Sequence, residues 1–159
     1  MKVSKVATLV YALLCNIPVS FCLCFASNLS ANNGSIDWPN LLFNYSISLP
    51  IAILITFVVP LVPLGKKLTA SLGVDNETFT HNLLYRLIAT FLYACIYFII
   101  LNPILTLINI WMNHAWMPVT TFLFQWIRGI PFMVIVGFVS SLVFDFPAFR
   151  VAHKIDPNF

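Results

Sequence analysis

The segment 40–62, NLLFNYSISLPIAILITFVVPLV, contains no charged side chain. A helix of about 20 mostly apolar residues is long enough to cross the hydrocarbon core of a bilayer. Three further segments have the same character, at about 6–26, 83–111 and 119–144. The sequence therefore predicts four membrane-spanning helices joined by short loops.

The composition of the whole chain supports this prediction. Of its 159 residues, 60% are hydrophobic and only 8% are charged, whereas a soluble domain carries about 25% charged residues. Such an apolar chain is neither a soluble domain nor intrinsically disordered. The first span is longer than the about 7–15 apolar residues of a signal peptide, so we expect it to be retained. The predicted fold class is all-α: an integral membrane four-helix bundle in a single membrane domain, residues 1–159.

The distribution of basic residues predicts the orientation, because cytoplasmic loops are rich in lysine and arginine. The loops 27–39 and 112–118 contain neither residue. Seven of the eight basic residues flank the opposite ends of the spans: Lys2, Lys5, Lys66, Lys67, Arg86, Arg150 and Lys154. Both termini are therefore predicted to be cytoplasmic. The tryptophans, which prefer membrane interfaces, fall near the predicted outer face: Trp38, Trp111, Trp116 and Trp126. The net charge of +3 reflects this asymmetry and gives no indication of nucleic-acid binding.

Similar patterns return after about eighty residues, which indicates an internal duplication. The matched positions are ATLVYA at 7–12 with ATFLYA at 89–94, LFNY at 42–45 with LFQW at 123–126, and Pro50 with Pro131. The pattern predicts two tandem helical hairpins, at about 5–72 and 86–155. Because each begins and ends on the cytoplasmic side, they are expected to be parallel repeats related by an axis along the membrane normal.

Small residues also match between the two predicted hairpins. Ser48 corresponds to Gly129, and Thr56 corresponds to Gly137. Small side chains let helices approach closely in lipid. We expect these four residues to lie at the contact between helices two and four, or between each of those helices and its hairpin partner.

The end of the first hairpin, VPLVPLGKKL at 59–68, resembles a family of small bacterial inner-membrane proteins known only as a domain of unknown function. The resemblance covers the first hairpin, and the second more loosely, through FPAFRV at 146–151. It implies two-helix hairpin units and a location in the bacterial inner membrane. It implies no activity, because none is known for the family.

Arg128 is the predicted membrane residue with the largest expected energetic consequence, because an arginine at the centre of a bilayer costs at least about 2.5 kcal/mol. It is expected to face the bundle interior or a wet cavity, or to extend to the outer interface. The polar side chains expected to accompany it include Asn44, Asn102, Asn109 and Gln125. One interpretation is a site for an anion or a lipid headgroup; the other is a structural arginine.

Prolines and amides inside the spans also leave alternatives open. Pro18, Pro50, Pro103 and Pro131 are expected to kink their helices, either to open a central cavity or as packing geometry inherited through duplication. Asn102, Thr106 and Asn109 share one helix face, which serves either as hydrogen-bonding contact between helices or as a hydrophilic path.

Chemistry-bearing motifs are scarce in this sequence. The predicted spans contain no aspartate or glutamate, and Asp145 is expected at the surface beyond the fourth span. The four cysteines lie in apolar segments and form no C-x-x-C pair. The sequence predicts a non-enzymatic protein without metal or cofactor.

Two functions remain open at this stage. The first is a structural or accessory role exerted by helix association in the lipid bilayer, with copies of itself or with another membrane protein. The second is a small oligomeric transporter or channel for an anionic or amphiphilic solute.

Overall fold

Four helices make up the fold of the computed structural model, which describes residues 4–58, 67–68, 70–73, 79–112 and 116–157 and, within 79–112, the side chains other than 79–83, 85, 86, 89 and 93. The helices, named in chain order, are α1 (Lys5–Ala31), α2 (Trp38–Val58), α3 (Phe79–Met112) and α4 (Val119–Ile155). All four are long and apolar enough to cross a membrane. The prediction of an all-α chain with four helices of membrane-spanning length is confirmed.

Three of the helices, α1, α3 and α4, extend beyond the apolar segments from which they were predicted. The end of the second predicted span, 59–62, lies outside the described residues. α1 continues through the polar residues Ser27, Asn28 and Ser30, and α4 continues to Ile155 instead of ending near Phe144. Apolar length marks the part of a helix that contacts lipid, whereas backbone hydrogen bonding continues until a cap or a turn ends the helix. The first cap is provided by Ser4, whose side chain accepts a hydrogen bond from the backbone N–H of Val6.

The helices pack as a ring in which α1 contacts α2 and α4, and α3 contacts α4 and α2. The α1–α4 contact is the most extensive and the α2–α3 contact the least extensive of these four. The backbone N–H of Ser4 donates to the Asp156 carboxylate at 2.6 Å. The start of α1 and the end of α4 therefore meet on the same side of the bundle.

The α1–α4 interface is built largely from small residues. Ala7, Ala12, Ala148 and Ala152 are fully or almost fully buried, and close approach of two backbones through small side chains is typical of helix contacts in lipid. A Cβ atom placed on Gly137 would lie 3.5 Å from Leu23 Cδ2 and 3.6 Å from Ala94 Cβ. Gly137 thus lies where α1, α3 and α4 come together.

Asp145 is part of this interface and not a surface residue as predicted from the sequence. Its side chain is half-buried and accepts a hydrogen bond from the Tyr11 hydroxyl of α1. The sequence argument placed it outside the fourth span, but α4 continues for almost three further turns to Ile155. A carboxylate therefore faces α1 within the bundle.

Candidate functional site

Polar side chains recur every four residues along α1: Asn16, Ser20, Cys24 and Asn28. All four are buried. A spacing of four keeps successive side chains on neighbouring turns of one helix side. This polar stripe extends along the inner side of α1 from the middle of the helix towards its C-terminal end.

Each residue of the stripe is hydrogen-bonded to another part of the bundle. The Asn16 amide donates to Thr56 Oγ1 of α2 at 3.0 Å, and Cys24 Sγ lies 3.4 Å from Ser48 Oγ of α2. Ser20 Oγ lies 2.6 Å from the Tyr97 hydroxyl of α3. Because an unsatisfied polar group is costly in a water-free interior, these pairs specify how α1, α2 and α3 fit together.

Asn28, near the end of α1, also joins this helix to another part of the bundle. Its Nδ2 donates to the Asp37 carbonyl at 3.1 Å, and its Oδ1 accepts from the Asp37 N–H at 2.9 Å. The side chain thus pairs with both backbone groups of the residue that precedes α2. This contact fixes the turn 32–37 between the first two helices.

Beside this stripe, a cavity of about 280 Å³ lies among α1, α2 and α3 at the end of the bundle that the turn 32–37 closes. We call it the asparagine cavity because five asparagines line it: Asn28, Asn40, Asn44, Asn102 and Asn109. Tyr97 and Cys24 also line it, and their bonds to Ser20 and Ser48 mark its inner end. No charged residue is among the described residues that line this cavity.

Three of the asparagines form a chain of amides across the least extensive helix contact. Asn109 Nδ2 of α3 donates to Asn44 Oδ1 of α2 at 2.7 Å, and Asn44 Nδ2 donates to Asn40 Oδ1 at 2.6 Å. The chain joins α2 to α3 along one wall of the cavity. Amide pairs are therefore part of what closes the α2–α3 contact at this end.

Asn102 differs from the other asparagines. Its side chain is half-buried and lines the cavity, and the described part of the chain supplies no hydrogen-bond partner for its carboxamide. Its backbone carbonyl accepts from Thr106 Oγ1 at 2.8 Å. The carboxamide offers two donor hydrogens and an acceptor oxygen to whatever occupies the cavity.

Of the polar residues predicted to form one site, the structure brings together Asn44, Asn102 and Asn109 but not Arg128 and Gln125. The last two side chains are exposed on α4 and do not line the asparagine cavity. Among the described residues, neither has a side-chain hydrogen bond. The two groups of predicted site residues therefore lie in different environments.

The register of α1 against α4 explains the position of Arg128. The same number of residues separates Ser4 from Leu23 and Gly137 from Asp156, and these residues meet pairwise. Because the two helices are antiparallel, residues that precede Gly137 on α4 lie beside residues that follow Leu23 on α1. This register brings Arg128 near the polar C-terminal end of α1. Arg128 therefore lies towards the end of the bundle that the turn 32–37 closes.

The remaining predicted residues lie inside helices and at helix contacts. Ser48 and Thr56 bond to α1, their hairpin partner, while a Cβ on Gly129 would lie 3.9 Å from Phe98 of its own hairpin partner α3. The four prolines predicted as kinks are all inside helices: Pro18, Pro50, Pro103 and Pro131. Ser48, Thr56 and Gly129 thus lie at contacts with their hairpin partners, whereas Gly137 faces Leu23 of α1 as well as Ala94 of its hairpin partner α3.

The sequence argument missed Ser20, Cys24, Asn28 and Tyr97. The signal was present, since polar or small residues four apart on an apolar helix predict an inward-facing side. The cysteines were assigned only to apolar segments, and no serine of α1 was singled out. Tyr97 lies in a long apolar segment where nothing in its neighbours marks the hydroxyl as internal.

Comparison with known proteins adds no assignment. No protein-family model, no curated protein and no solved structure matches the chain. The function must therefore be argued from the bundle and its cavity.

Proposed function

We propose that this chain is a non-enzymatic multi-pass membrane protein that binds a small solute in the asparagine cavity. The observation that carries the proposal is the carboxamide of Asn102, which lines a cavity of about 280 Å³ and has no hydrogen-bond partner among the described residues. Ligand sites are concave, largely preformed and equipped with a few polar groups that orient the ligand. The volume is just below the about 300–1,000 Å³ of such sites.

The proposal develops the second of the two functions left open by the sequence, a small transporter or channel. The solute-binding step is assigned to the cavity and not to Arg128, because that arginine lies on another surface. A transporter must also let the solute pass from the cavity to the other side of the membrane. The stripe of hydrogen-bonded side chains from Asn28 to Asn16 supplies polar groups along that direction.

The first function, action through helix association with a partner, has less specific support. Many large apolar side chains are exposed on the helices. Lipid tails are as apolar as leucine, so such side chains suit lipid as well as a protein partner. Homo-oligomerisation is compatible with solute binding and is retained as part of the proposal.

The proposed location rests on the resemblance of 59–68 to small bacterial inner-membrane proteins, and the proposed orientation rests on the basic residues. We place the protein in a bacterial inner membrane with both termini in the cytoplasm, and with the asparagine cavity open to the outer side. The meeting of Ser4 with Asp156 supports a common side for both ends. The tandem duplication is supported by Pro50 and Pro131, which lie at the same distance from the starts of α2 and α4.

Topology is tested with reporter fusions. Reporters fused after Lys67 and after Lys154 are expected to give cytoplasmic signals, and a reporter inserted at Asn33 an external signal, because the basic residues stay inside. An alkaline phosphatase and a fluorescent-protein reporter at each site give opposite readouts and control for expression. An external signal at Lys154 would contradict both the orientation and the parallel-hairpin arrangement.

Solute access is tested by thiol labelling. In a background without the four native cysteines, Thr106→Cys is expected to react with a membrane-impermeant reagent added from outside on the order of tenfold or more faster than Leu107→Cys, because only a hydrated thiol ionises readily to the reactive thiolate.

Leu107 is the matched control for this experiment. It is the next residue of α3 and therefore lies at the same depth, and it is more exposed at 57%, but it does not line the cavity. Exposure to lipid alone should thus leave Leu107→Cys unreactive. Equal reaction of both thiols, or reaction of Leu107→Cys alone, would refute a water-filled cavity.

A further inference from the structure

The lining of the asparagine cavity is chemically mixed, and this mixture bears on what it binds. Carboxamides from α1, α2 and α3 line it. Apolar side chains line it as well, among them Phe98, Leu101 and Leu105 of α3 and Met133 of α4. A ligand that suits this lining has hydrogen-bonding groups and also nonpolar surface.

The hydrogen-bonding groups must include both donors and acceptors. A carboxamide is donor and acceptor at once, and Asn102 offers both because the described residues leave it unpaired. In the chain from Asn109 through Asn44 to Asn40, Asn109 Nδ2 donates to Asn44 Oδ1 and to the Leu105 carbonyl, and Asn44 Nδ2 donates to Asn40 Oδ1. The Asn40 side chain accepts in this chain and also lines the cavity. Hydroxyl groups satisfy such a mixture, since each donates one hydrogen bond and accepts others.

The lining also argues against an ionic ligand. A charge taken out of water without a counter-charge is strongly disfavoured, and the described lining residues carry none. The nearest candidate cation considered from the sequence, Arg128, is exposed on α4 and does not line the cavity. An anionic solute, which the sequence argument considered, would therefore find no balancing charge here.

The size of the cavity favours a small ligand or headgroup. Its volume of about 280 Å³ is just below the about 300–1,000 Å³ of typical small-molecule sites. A single ring carrying hydroxyl groups is of suitable size for such a space.

We infer that the asparagine cavity binds one uncharged polyhydroxyl group, such as a monosaccharide ring, with Asn102 as the principal hydrogen-bonding residue. The inference rests on the proposed solute-binding function. The same chemistry is available from a free sugar outside the membrane and from the headgroup of an outer-leaflet glycolipid, and the experiment separates these two sources.

The test measures thermal unfolding of the full chain. The protein is purified in lauryldimethylamine oxide, because a glucoside or maltoside detergent carries the proposed ligand as its headgroup. Glucose at about tenfold above its dissociation constant is expected to raise the unfolding temperature by about 3–5 °C. Glucuronate and glucosamine, which keep the ring and add a charge, are expected to raise it less. A parallel series in nanodiscs with and without monoglucosyl-diacylglycerol tests the lipid source.

Two variants separate binding from the general stabilising effect of sugars, which acts on any folded protein. Asn102→Leu removes the carboxamide at similar size and is expected to abolish the specific shift. Gln125→Leu removes an exposed amide outside the cavity and is expected to keep it. An equal shift in wild type and Asn102→Leu, or a larger shift with either charged sugar, would overturn the inference.

A second measurement keeps the test decisive even when Asn102→Leu does not fold. Glucose or the glycolipid is expected to slow the labelling of Thr106→Cys by about tenfold at tenfold above the dissociation constant, since an occupied site excludes the reagent. Labelling that neither compound slows would overturn the ligand class and leave the solute-binding function standing. No labelling of Thr106→Cys at all would overturn both.

Discussion

Replacing Gly137 with leucine is expected to destabilise the bundle by about 2–3 kcal/mol, because extra methylene groups in a well-packed core force side chains and backbone apart. Even a Cβ atom at this position would contact Leu23 and Ala94, at 3.5 and 3.6 Å. The remaining atoms of a leucine side chain would have to displace α1 or α3. The free energy of unfolding, measured by SDS titration in bicelles, reports the effect.

Two variants control for this prediction. Gly137→Ala should change stability little, since its Cβ lies at ordinary van der Waals distances from both neighbours. Gly129→Leu should cost much less than Gly137→Leu, because a Cβ at Gly129 meets only Phe98, at 3.9 Å. A similar loss of stability for both leucine variants would show that the loss does not come from the contact of three helices at Gly137.

The spans could be predicted because hydrophobicity and length are properties of single segments. The 40–62 segment and its three counterparts need no partner to be recognised, since any lipid-facing helix must be apolar over about 20 residues. Helix ends were less predictable. The helix α4 ends at Ile155, and the side-chain carboxylate of the next residue, Asp156, accepts a hydrogen bond from the backbone N–H of Ser4, at the other end of the chain. That contact is a property of the folded bundle.

The candidate site was predicted only in part for the same reason. Asn102 and Asn109 share a helix face by spacing alone, and Asn44 was noted as an amide in a span. Their meeting across α2 and α3 requires the rotation of each helix about its axis, and an apolar helix gives little sequence signal for that rotation when lipid and core side chains are equally hydrophobic. Arg128 was predicted as a site residue because of its charge. Its position along the bundle is determined by the register of α1 against α4, which the sequence does not show.

The polar interior gives the bundle a specificity that its apolar residues cannot. Alanine and leucine contacts tolerate rotation and sliding, whereas Ser20 and Tyr97 meet at 2.6 Å only in one arrangement of α1 and α3. These helices lie across the ring from each other, since α1 packs mainly on α4 and α2, and α3 packs mainly on α4. The Ser20–Tyr97 pair therefore joins two helices that have little other reason to stay in register.

Truncating Tyr97 to alanine is accordingly expected to cost about 3–5 kcal/mol, as for other large aromatic residues removed from a core. The side chain is only 1% exposed and is the largest fully buried one among the described residues. Its loss leaves a void at the inner end of the asparagine cavity and removes the only described partner of the Ser20 hydroxyl. Unfolding by SDS titration again gives the free energy.

Tyr97→Phe separates the hydroxyl from the ring. It should cost about 1 kcal/mol, between the average of about 0.6 and the maximum of about 1.7 kcal/mol measured for hydrogen bonds between membrane helices. Ser20→Ala should cost no more than this, and the double variant should cost little more than Tyr97→Phe alone, because removal of the Tyr97 hydroxyl already removes the bond to Ser20. Fully additive losses would mean that the two hydroxyls do not bond in the membrane, and a negligible loss for Tyr97→Ala would contradict the buried position of the ring.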